Sequence, residues 1–317
     1  MPIDSCWSDR KSLEGIDCSS AEAPSSEAAF HCSSPWIRSL VLGLALLGLA
    51  GCGNNNLDES QQLGPLRVLA LVAALPETTF DPAGSSVLVT AWVSDYDKGG
   101  QPGRSLQYGY AVCPDPGIAY GVEPRCPTAT LLSSEDGIPI DGSSMTSLNA
   151  YTAPVFTRNI PIPPTTNPSW NLYWSSKTAA EKSNGVAILV TFTISSGTEE
   201  TTAFRRITIT TRTGAALNQN SLAITGITPA SLPTTEGKIS PTLVATADNY
   251  SVTTSDGTVV NRTEKLTVSW YTTAGEFKFN RTDGASANTW TPPGSGTPKI
   301  FLFLRDDRGG VSDAFSL

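Results

Sequence analysis

Histidine and cysteine, which serve nucleophilic, redox and metal chemistry, are few in this chain of 317 residues: it has one histidine and six cysteines. Four of these seven side chains precede position 38: Cys6, Cys18, His31 and Cys32. Cys113 and Cys126 lie further along, on either side of a Pro- and Gly-rich stretch, and their spacing is not the CxxC of redox and zinc motifs. Because no histidine stands near them to complete a zinc site, the sequence predicts no metal or redox cofactor.

The charge balance argues against one large class of partner. Lys and Arg number 21 against 29 Asp and Glu, so the formal net charge is −8 and the isoelectric point is near 4.7. A nucleic acid would be repelled rather than attracted, and we expect no nucleic-acid partner. Only 16% of the residues are charged, whereas glycine (27) and proline (23) are plentiful, and this mixture favours short strands joined by turns.

A long apolar run, residues 40–51, follows Arg38 and precedes Cys52. It is shorter than the roughly 18 residues of a transmembrane helix and has the size of a signal-peptide core. Its end, Leu49-Ala50-Gly51-Cys52, resembles the lipobox of bacterial lipoproteins. The resemblance implies diacylglyceryl transfer to the Cys52 thiol, cleavage before it and acylation of the new N-terminus, so that the membrane becomes the partner of Cys52. Gly53 implies export to the outer membrane, since Asp is absent there. The alternative is a buried apolar helix that ends in a cysteine.

Residues 1–51 are therefore predicted to be a presequence, and residues 52–63 a lipidated cysteine with a flexible polar tether. The six acidic residues of the presequence all lie in residues 1–37, unlike a basic n-region, so we favour a start assigned too far upstream over an unusually long presequence. Cleavage removes these six acids and three bases, which leaves 23 acidic and 18 basic residues and a net charge of −5. It also removes the histidine.

The loss of His31 limits the catalysis that the mature chain could perform. Ser–His–Asp and Cys–His triads need a histidine base, and no Ser-x-x-Lys follows Cys52. A carboxylate-type glycosidase stays open as a remote alternative, because paired acids suffice for that chemistry. The available acids are Glu135, Asp136, Asp141, Glu199 and Glu200. Acids in turns are usually solvated, and we expect no enzymatic activity.

In an exported protein, Cys113 and Cys126 are most simply a disulfide that closes the short loop between them. A loop of that size adds about 3 kcal/mol to stability by the chain-entropy estimate.

Strand-like segments alternate with Gly and Pro turn signals from residue 64 onward. In the first half these segments are residues 68–73, 87–93, 106–112, 186–194 and 204–210. Segments of the second half can be aligned with them: 243–249 with 89–95, 266–271 with 106–111 and 300–304 with 188–192. A period of this length indicates tandem domains rather than a solenoid. The sequence predicts an all-β protein with two Ig-like or PKD-like β-sandwiches, at residues 64–214 and 223–317, joined by a linker at 215–222.

Three motifs of the second copy, Val268-Ser-Trp-Tyr271, Trp290-Thr-Pro-Pro293 and residues 300–310, resemble the PKD-like and Ig-like modules of bacterial surface proteins. The resemblance is looser over residues 64–214. It departs from antibody-type domains because no cysteine pair brackets Trp270. It implies a spacer, display or adhesive role without catalysis.

The first copy carries an insertion at residues 161–185, in which a helix is predicted over about Pro168 to Lys182, capped by Asn167 and stopped by Gly185. Trp170, Tyr173 and Trp174 would share one face of that helix. They either pack the insertion onto the sandwich or form an exposed aromatic platform for a sugar ring or a protein partner.

Four aspartates at predicted strand ends are calcium candidates: Asp95, Asp97, Asp306 and Asp307. Ca²⁺ takes six to eight oxygen ligands, so the simpler alternative is that these residues cap turns. Taken together, the sequence predicts a lipid-anchored protein of the bacterial outer membrane that acts as a non-catalytic structural or interaction module. The competing prediction is a carbohydrate-binding lipoprotein that uses the aromatic platform.

Overall fold

The computed structural model describes residues 61–64, 66–95, 106–117, 124–140, 156–218, 222–244 and 247–317. All of them belong to one compact unit, Asn55–Leu317. These residues form an all-β architecture of facing sheets, which confirms the predicted fold class. The presequence, the lipobox with Cys52, and Asp97 lie outside the described residues.

The first half folds into two sheets. Its strands are β1 (Arg67–Ala73), β2 (Glu77–Thr79), β3 (Ser85–Ser94), β4 (Gln107–Pro114), β5 (Ser133–Pro139), β6 (Phe156–Ile162), β7 (Val186–Ser195) and β8 (Glu200–Thr210). One sheet has the order β1-β3-β6 and the other the order β2-β8-β7-β4-β5. Neighbouring strands are antiparallel, except that β2 runs parallel to β8. Apolar side chains of both sheets, such as Val89, Ile160 and Phe192, meet in one core.

The second half forms a smaller sandwich. Its strands are β9 (Ile224–Thr228), β10 (Gly237–Leu243), β11 (Asn249–Thr253), β12 (Val259–Thr263), β13 (Thr267–Thr272), β14 (Glu276–Phe277), β15 (Arg281–Asp283), β16 (Asn288–Thr291), β17 (Ile300–Arg305) and β18 (Phe315–Ser316). Sheets β14-β16-β10-β9 and β15-β13-β17-β18 enclose a second core, and β11 and β12 form a separate hairpin. In that core the ring centroid of Phe277 lies 4.9 Å from those of Trp270 and Trp290.

Strand β17 is apolar at five successive positions, and the structure shows why. Ile300, Leu302 and Leu304 point into the core of the second half. Phe301 and Phe303 point the opposite way and belong to the core of the first half, where Phe303 contacts Trp92 edge-on. A strand with water on one face would alternate apolar and polar residues, whereas a strand buried on both faces is apolar throughout. The apolar contacts therefore cross the predicted boundary between the two sandwiches.

The insertion contains two short helices, α1 (Pro168–Ser175) and α2 (Ala179–Asn184), where the sequence predicts one. The Asn167 side chain accepts a hydrogen bond from the Trp170 backbone at 3.1 Å, so the predicted cap is confirmed. The single helix is wrong because Thr178 forms a capping box with Glu181 and starts a new helix. Gly185 ends α2 at φ 109°, and a Cβ there would lie 2.1 Å from the Thr208 side chain.

The predicted strand at residues 243–249 is also wrong. Strand β10 ends at Leu243, opposite Ile224, and β11 begins only at Asn249. The Val244 backbone still donates to the Ala223 carbonyl at 3.1 Å, but its side chain is exposed, and residues 245 and 246 lie outside the described residues.

Two local predictions about the N-terminal half have clear outcomes. Cys113 and Cys126 form a disulfide, with Cα atoms 5.6 Å apart, as expected. Residues 61–63, assigned to the flexible tether, are instead fixed: Leu63 and Gln61 are buried, and both bond to the backbone of Thr272. The chain thus contacts the second sandwich before it builds the first. Among the described residues, helices are too short and too polar to cross a bilayer.

Replacing Phe303, whose side chain is 0% exposed, should destabilise the whole unit because it removes one of the two aromatic side chains that β17 contributes to the first core. We expect Phe303→Ala to lower the free energy of unfolding by about 3–5 kcal/mol. Phe279→Ala is the matched control, since Phe279 is 50% exposed, and it should cost far less. Urea unfolding followed by circular dichroism measures both. Equal midpoints for the two variants would contradict the shared-core description.

Candidate functional site

A cleft of about 460 Å³ lies where β8 meets the turn that follows β17. Strand β2 pairs only with Thr208–Thr210, so the earlier part of β8 has no second neighbour within the part of the chain that the structure describes. Residues 305–309 of the second half lie beside this open edge. Five guanidinium groups line the cleft: Arg205, Arg206, Arg212, Arg305 and Arg308.

The Glu77 carboxylate is the centre of an ion-pair network in the cleft, and this residue is only 2% exposed. One oxygen, Oε1, accepts a hydrogen bond from Arg212. The other, Oε2, accepts from Arg308 Nη2 at 2.5 Å and from the backbone N–H of Asn218 at 2.9 Å. Arg212 follows β8 in the first half and Arg308 follows β17 in the second, so one buried carboxylate joins both halves.

Arg308 extends the network to a second buried acid. Its Nη1 donates to Glu264 Oε1 at 3.1 Å, and its guanidinium lies 4.8 Å from the centroid of the Tyr250 ring. Burial raises the pKa of Glu264, while a backbone hydrogen bond from Asp248 and the charge of Arg308 oppose that rise. Arg308 thus contacts two carboxylates and an aromatic face, and its charge is fully compensated.

Arg205 is the exception in the cleft. It shares a face of β8 with the buried Ile207 and Ile209, and it is 8% exposed. Its Nε and Nη2 have no hydrogen-bond partner among the described residues. Burial, together with the like charge of Arg305, lowers the pKa of Arg205 to about 10, while the charge of Asp306 opposes that fall; Arg205 is therefore charged at neutral pH.

Two of the calcium candidates, Asp306 and Asp307, lie in the turn after β17. Asp306 Oδ1 accepts hydrogen bonds from the backbone of Arg308 at 2.9 Å and of Gly310 at 2.5 Å, and its Oδ2 accepts from the Asn218 side chain at 2.9 Å. Asp307 accepts from the backbone of Lys265 at 3.2 Å. Asp306 therefore caps its turn, the simpler alternative, whereas Asp307 links this turn to the start of β13. Asp95 is buried. The described residues contain no cluster of three or more potential metal ligands.

The aromatic residues of α1 do not form an exposed platform. Trp170 is 0% exposed, and Trp174 stacks on Phe80 with ring centroids 4.1 Å apart. Tyr173 packs against the same core, and its hydroxyl donates to the Ala187 backbone at 3.2 Å. The exposed-platform hypothesis is wrong because all three rings pack the insertion onto the first sandwich.

Three of the glycosidase candidates make local contacts or lie at the surface. Glu135 pairs with Arg158 across the surface of the first half. Asp136 caps the turn at Gly137, and Glu200 begins β8 at an exposed position. Asp141 lies outside the described residues.

Sequence reasoning did not identify the cleft. One signal was available, because the alternation in Phe204-Arg-Arg-Ile-Thr-Ile209 puts Arg205 on the buried face with Ile207 and Ile209. No comparable signal exists for Glu77, which lies in a three-residue strand. Its partners, Arg212 and Arg308, are far away in sequence.

Comparisons with known proteins give no family. No family model matches the sequence, and no curated protein gives a significant match. Among solved structures, the YadV chaperone aligns with a TM-score of 0.22 and 12% identity, over 78% of this chain and 99% of that one. A complex of the Salmonella enterica SafA pilin with the SafB chaperone aligns with a TM-score of 0.24 and 11% identity, over 81% and 97%. The fold assignment rests on the strand pairing of this chain itself.

Neutralising Glu77 should be strongly destabilising, because it leaves Arg212 and Arg308 buried without their shared counter-charge. We expect Glu77→Gln to lower the free energy of unfolding by about 3–5 kcal/mol. Glu135→Gln is the matched control: its pair with Arg158 is 36–38% exposed, and the loss should stay below about 1 kcal/mol. Chemical denaturation at neutral pH compares them. Similar decreases in the free energy of unfolding for both variants would show that the Glu77 network does not stabilise the contact between the two halves.

Proposed function

We propose that this chain is a lipid-anchored protein of the bacterial outer membrane that acts as a non-catalytic structural or interaction module. The observation that carries the proposal is the joining of two sandwiches by a doubly buried strand and a buried ion-pair network. Such a construction presents the surfaces of both sandwiches in one fixed arrangement. That property suits display or adhesion at a cell surface.

The anchor is supported by the sequence. The lipobox Leu49-Ala50-Gly51-Cys52 would place two or three acyl chains on Cys52. Each buried CH₂ contributes about 0.8 kcal/mol, so the chains hold a protein in a bilayer without a spanning helix. Residues 53–60 would then connect the lipid to Gln61, the first described residue, which bonds to the backbone of Thr272 in the second sandwich.

The non-catalytic role is supported by how the buried charges are used. Glu77, Glu264, Arg212 and Arg308 neutralise one another across the joint between the halves. Asp306 caps a turn, and Asp307 accepts a hydrogen bond from the Lys265 backbone. After cleavage before Cys52 the chain would have no histidine to act as a general base.

Labelled palmitate tests the anchor directly. When the full chain is expressed in a bacterium with an outer membrane, we expect wild type to incorporate the label and to fractionate with the outer membrane. Cys52→Ser should lose the label because the acceptor thiol is gone. Cys32→Ser, which removes a thiol of the presequence, should keep it. An unlabelled wild type in the soluble fraction, or equal labelling of Cys52→Ser, would refute the anchor.

A further inference from the structure

We propose that the arginine-lined cleft binds a small organic anion, with its carboxylate or phosphate group on the guanidinium of Arg205 and its apolar part against Tyr250 and Val252. This inference does not depend on the lipid anchor. It rests on one buried charge without a partner, on the charge balance of the cleft, and on the size and walls of the cavity.

Arg205 provides the first argument. A buried arginine normally has its donors satisfied by a carboxylate or by backbone carbonyls, because the charge is costly to remove from water. Nε and Nη2 of Arg205 are buried without such an acceptor among the described residues. Gly309, at φ 99°, lies beside this guanidinium: a Cβ there would be 3.7 Å from Arg205 Nη2.

The charge balance of the cleft provides the second argument. Arg212 and Arg308 share Glu77, and Arg206 pairs with Asp115 at 2.6 Å. Arg305 donates to neutral acceptors, the Leu69 carbonyl at 2.9 Å and the Ser269 hydroxyl at 3.1 Å. Asp306 and Asp307 also line the cleft, but neither forms an ion pair with the buried Arg205 or the partly buried Arg305 among the described residues. An incoming oxyanion would give Arg205 a directly bonded acceptor, which the described residues do not provide.

The shape of the cavity defines the rest of the ligand. A volume of about 460 Å³ is in the range of small-molecule sites and exceeds the size of a bare oxyanion. Tyr250 provides aromatic surface, and Val252, two residues further along β11, adds apolar surface. A planar guanidinium fork suits carboxylate and phosphate equally well. The ligand class is thus an organic acid or a phosphate monoester with a ring or another apolar group.

The test uses the full-length chain in detergent and three probes: inorganic phosphate, phenyl phosphate and phenylacetate. Calorimetry at constant ionic strength, with potassium chloride as the ionic control, measures the dissociation constants. We expect saturable binding, with phenyl phosphate at least tenfold tighter than inorganic phosphate because only the former contacts the apolar surface of the cleft. Preference for phenyl phosphate or for phenylacetate identifies a phosphate or a carboxylate ligand, and either result supports the site. The absence of saturable binding by all three probes overturns it.

Arg205→Met removes the proposed anion contact while keeping an apolar stem of similar length. We expect it to weaken binding of the preferred probe at least tenfold and to raise the melting temperature of the ligand-free protein, since an uncompensated buried charge is lost. Lys238→Met, an exposed position outside the cleft, removes the same charge and should change binding less than twofold. Equal binding by Arg205→Met and wild type overturns the proposal.

A measurement on the wild type keeps the test decisive if Arg205→Met does not fold. Titration of the preferred probe into isotope-labelled protein should shift an arginine Nε–Hε resonance with the same saturation midpoint as in calorimetry. Unchanged arginine resonances at a saturating concentration overturn the proposal.

Discussion

Strand β17 is buried on both faces, and this burial determines how the two halves of the molecule are joined. Leu302 and Leu304 complete the core of the second sandwich, while Phe301 and Phe303 complete that of the first. Removing either sandwich would expose one whole face of this strand, and burial of apolar surface is the dominant favourable term in folding. The two sandwiches are therefore not independent domains joined by a linker. They share strand β17, whose two faces belong to different cores. The segment before β1 adds to the contact between the halves through its hydrogen bonds to Thr272.

The shared strand also determines where charge is buried. Because β17 lies between the two cores, the turn that follows it comes to rest at the open edge of β8, and Arg308 reaches Glu77 there. Ion pairs of this kind contribute less to net stability than their attraction suggests, since both charges lose water. Their value is that only one arrangement of the two halves satisfies all of them. Arg205 lies in the same place, and two of its guanidinium nitrogens bond to no described residue. It is on this guanidinium that we propose the anion site.

The sequence predicts some elements well and others poorly, for physical reasons. Strands β7 and β8 are recognised from dense β-branched and aromatic residues, and the observed strands contain the predicted segments. The single helix from Pro168 to Lys182 is wrong because the local signal at Thr178, a capping box, outweighs continued helical spacing. The strand at residues 243–249 is wrong because its two ends belong to different strands: Leu243 ends β10, which pairs with β9, and Asn249 begins β11, which pairs with β12. Propensity is local, whereas pairing is not.

By itself, the sequence determined the all-β class, the disulfide between Cys113 and Cys126, the Asn167 cap, and the apolar character of Ile300 to Leu304, because each depends on residue type and short-range spacing. Tertiary structure alone decided that Trp170 is core rather than surface, and that Glu77, Arg212 and Arg308 meet. These outcomes depend on which faces come together between segments distant in sequence. The run from Ile300 to Leu304 shows the division most clearly: its composition requires two buried faces, but only the fold shows that they belong to two different cores.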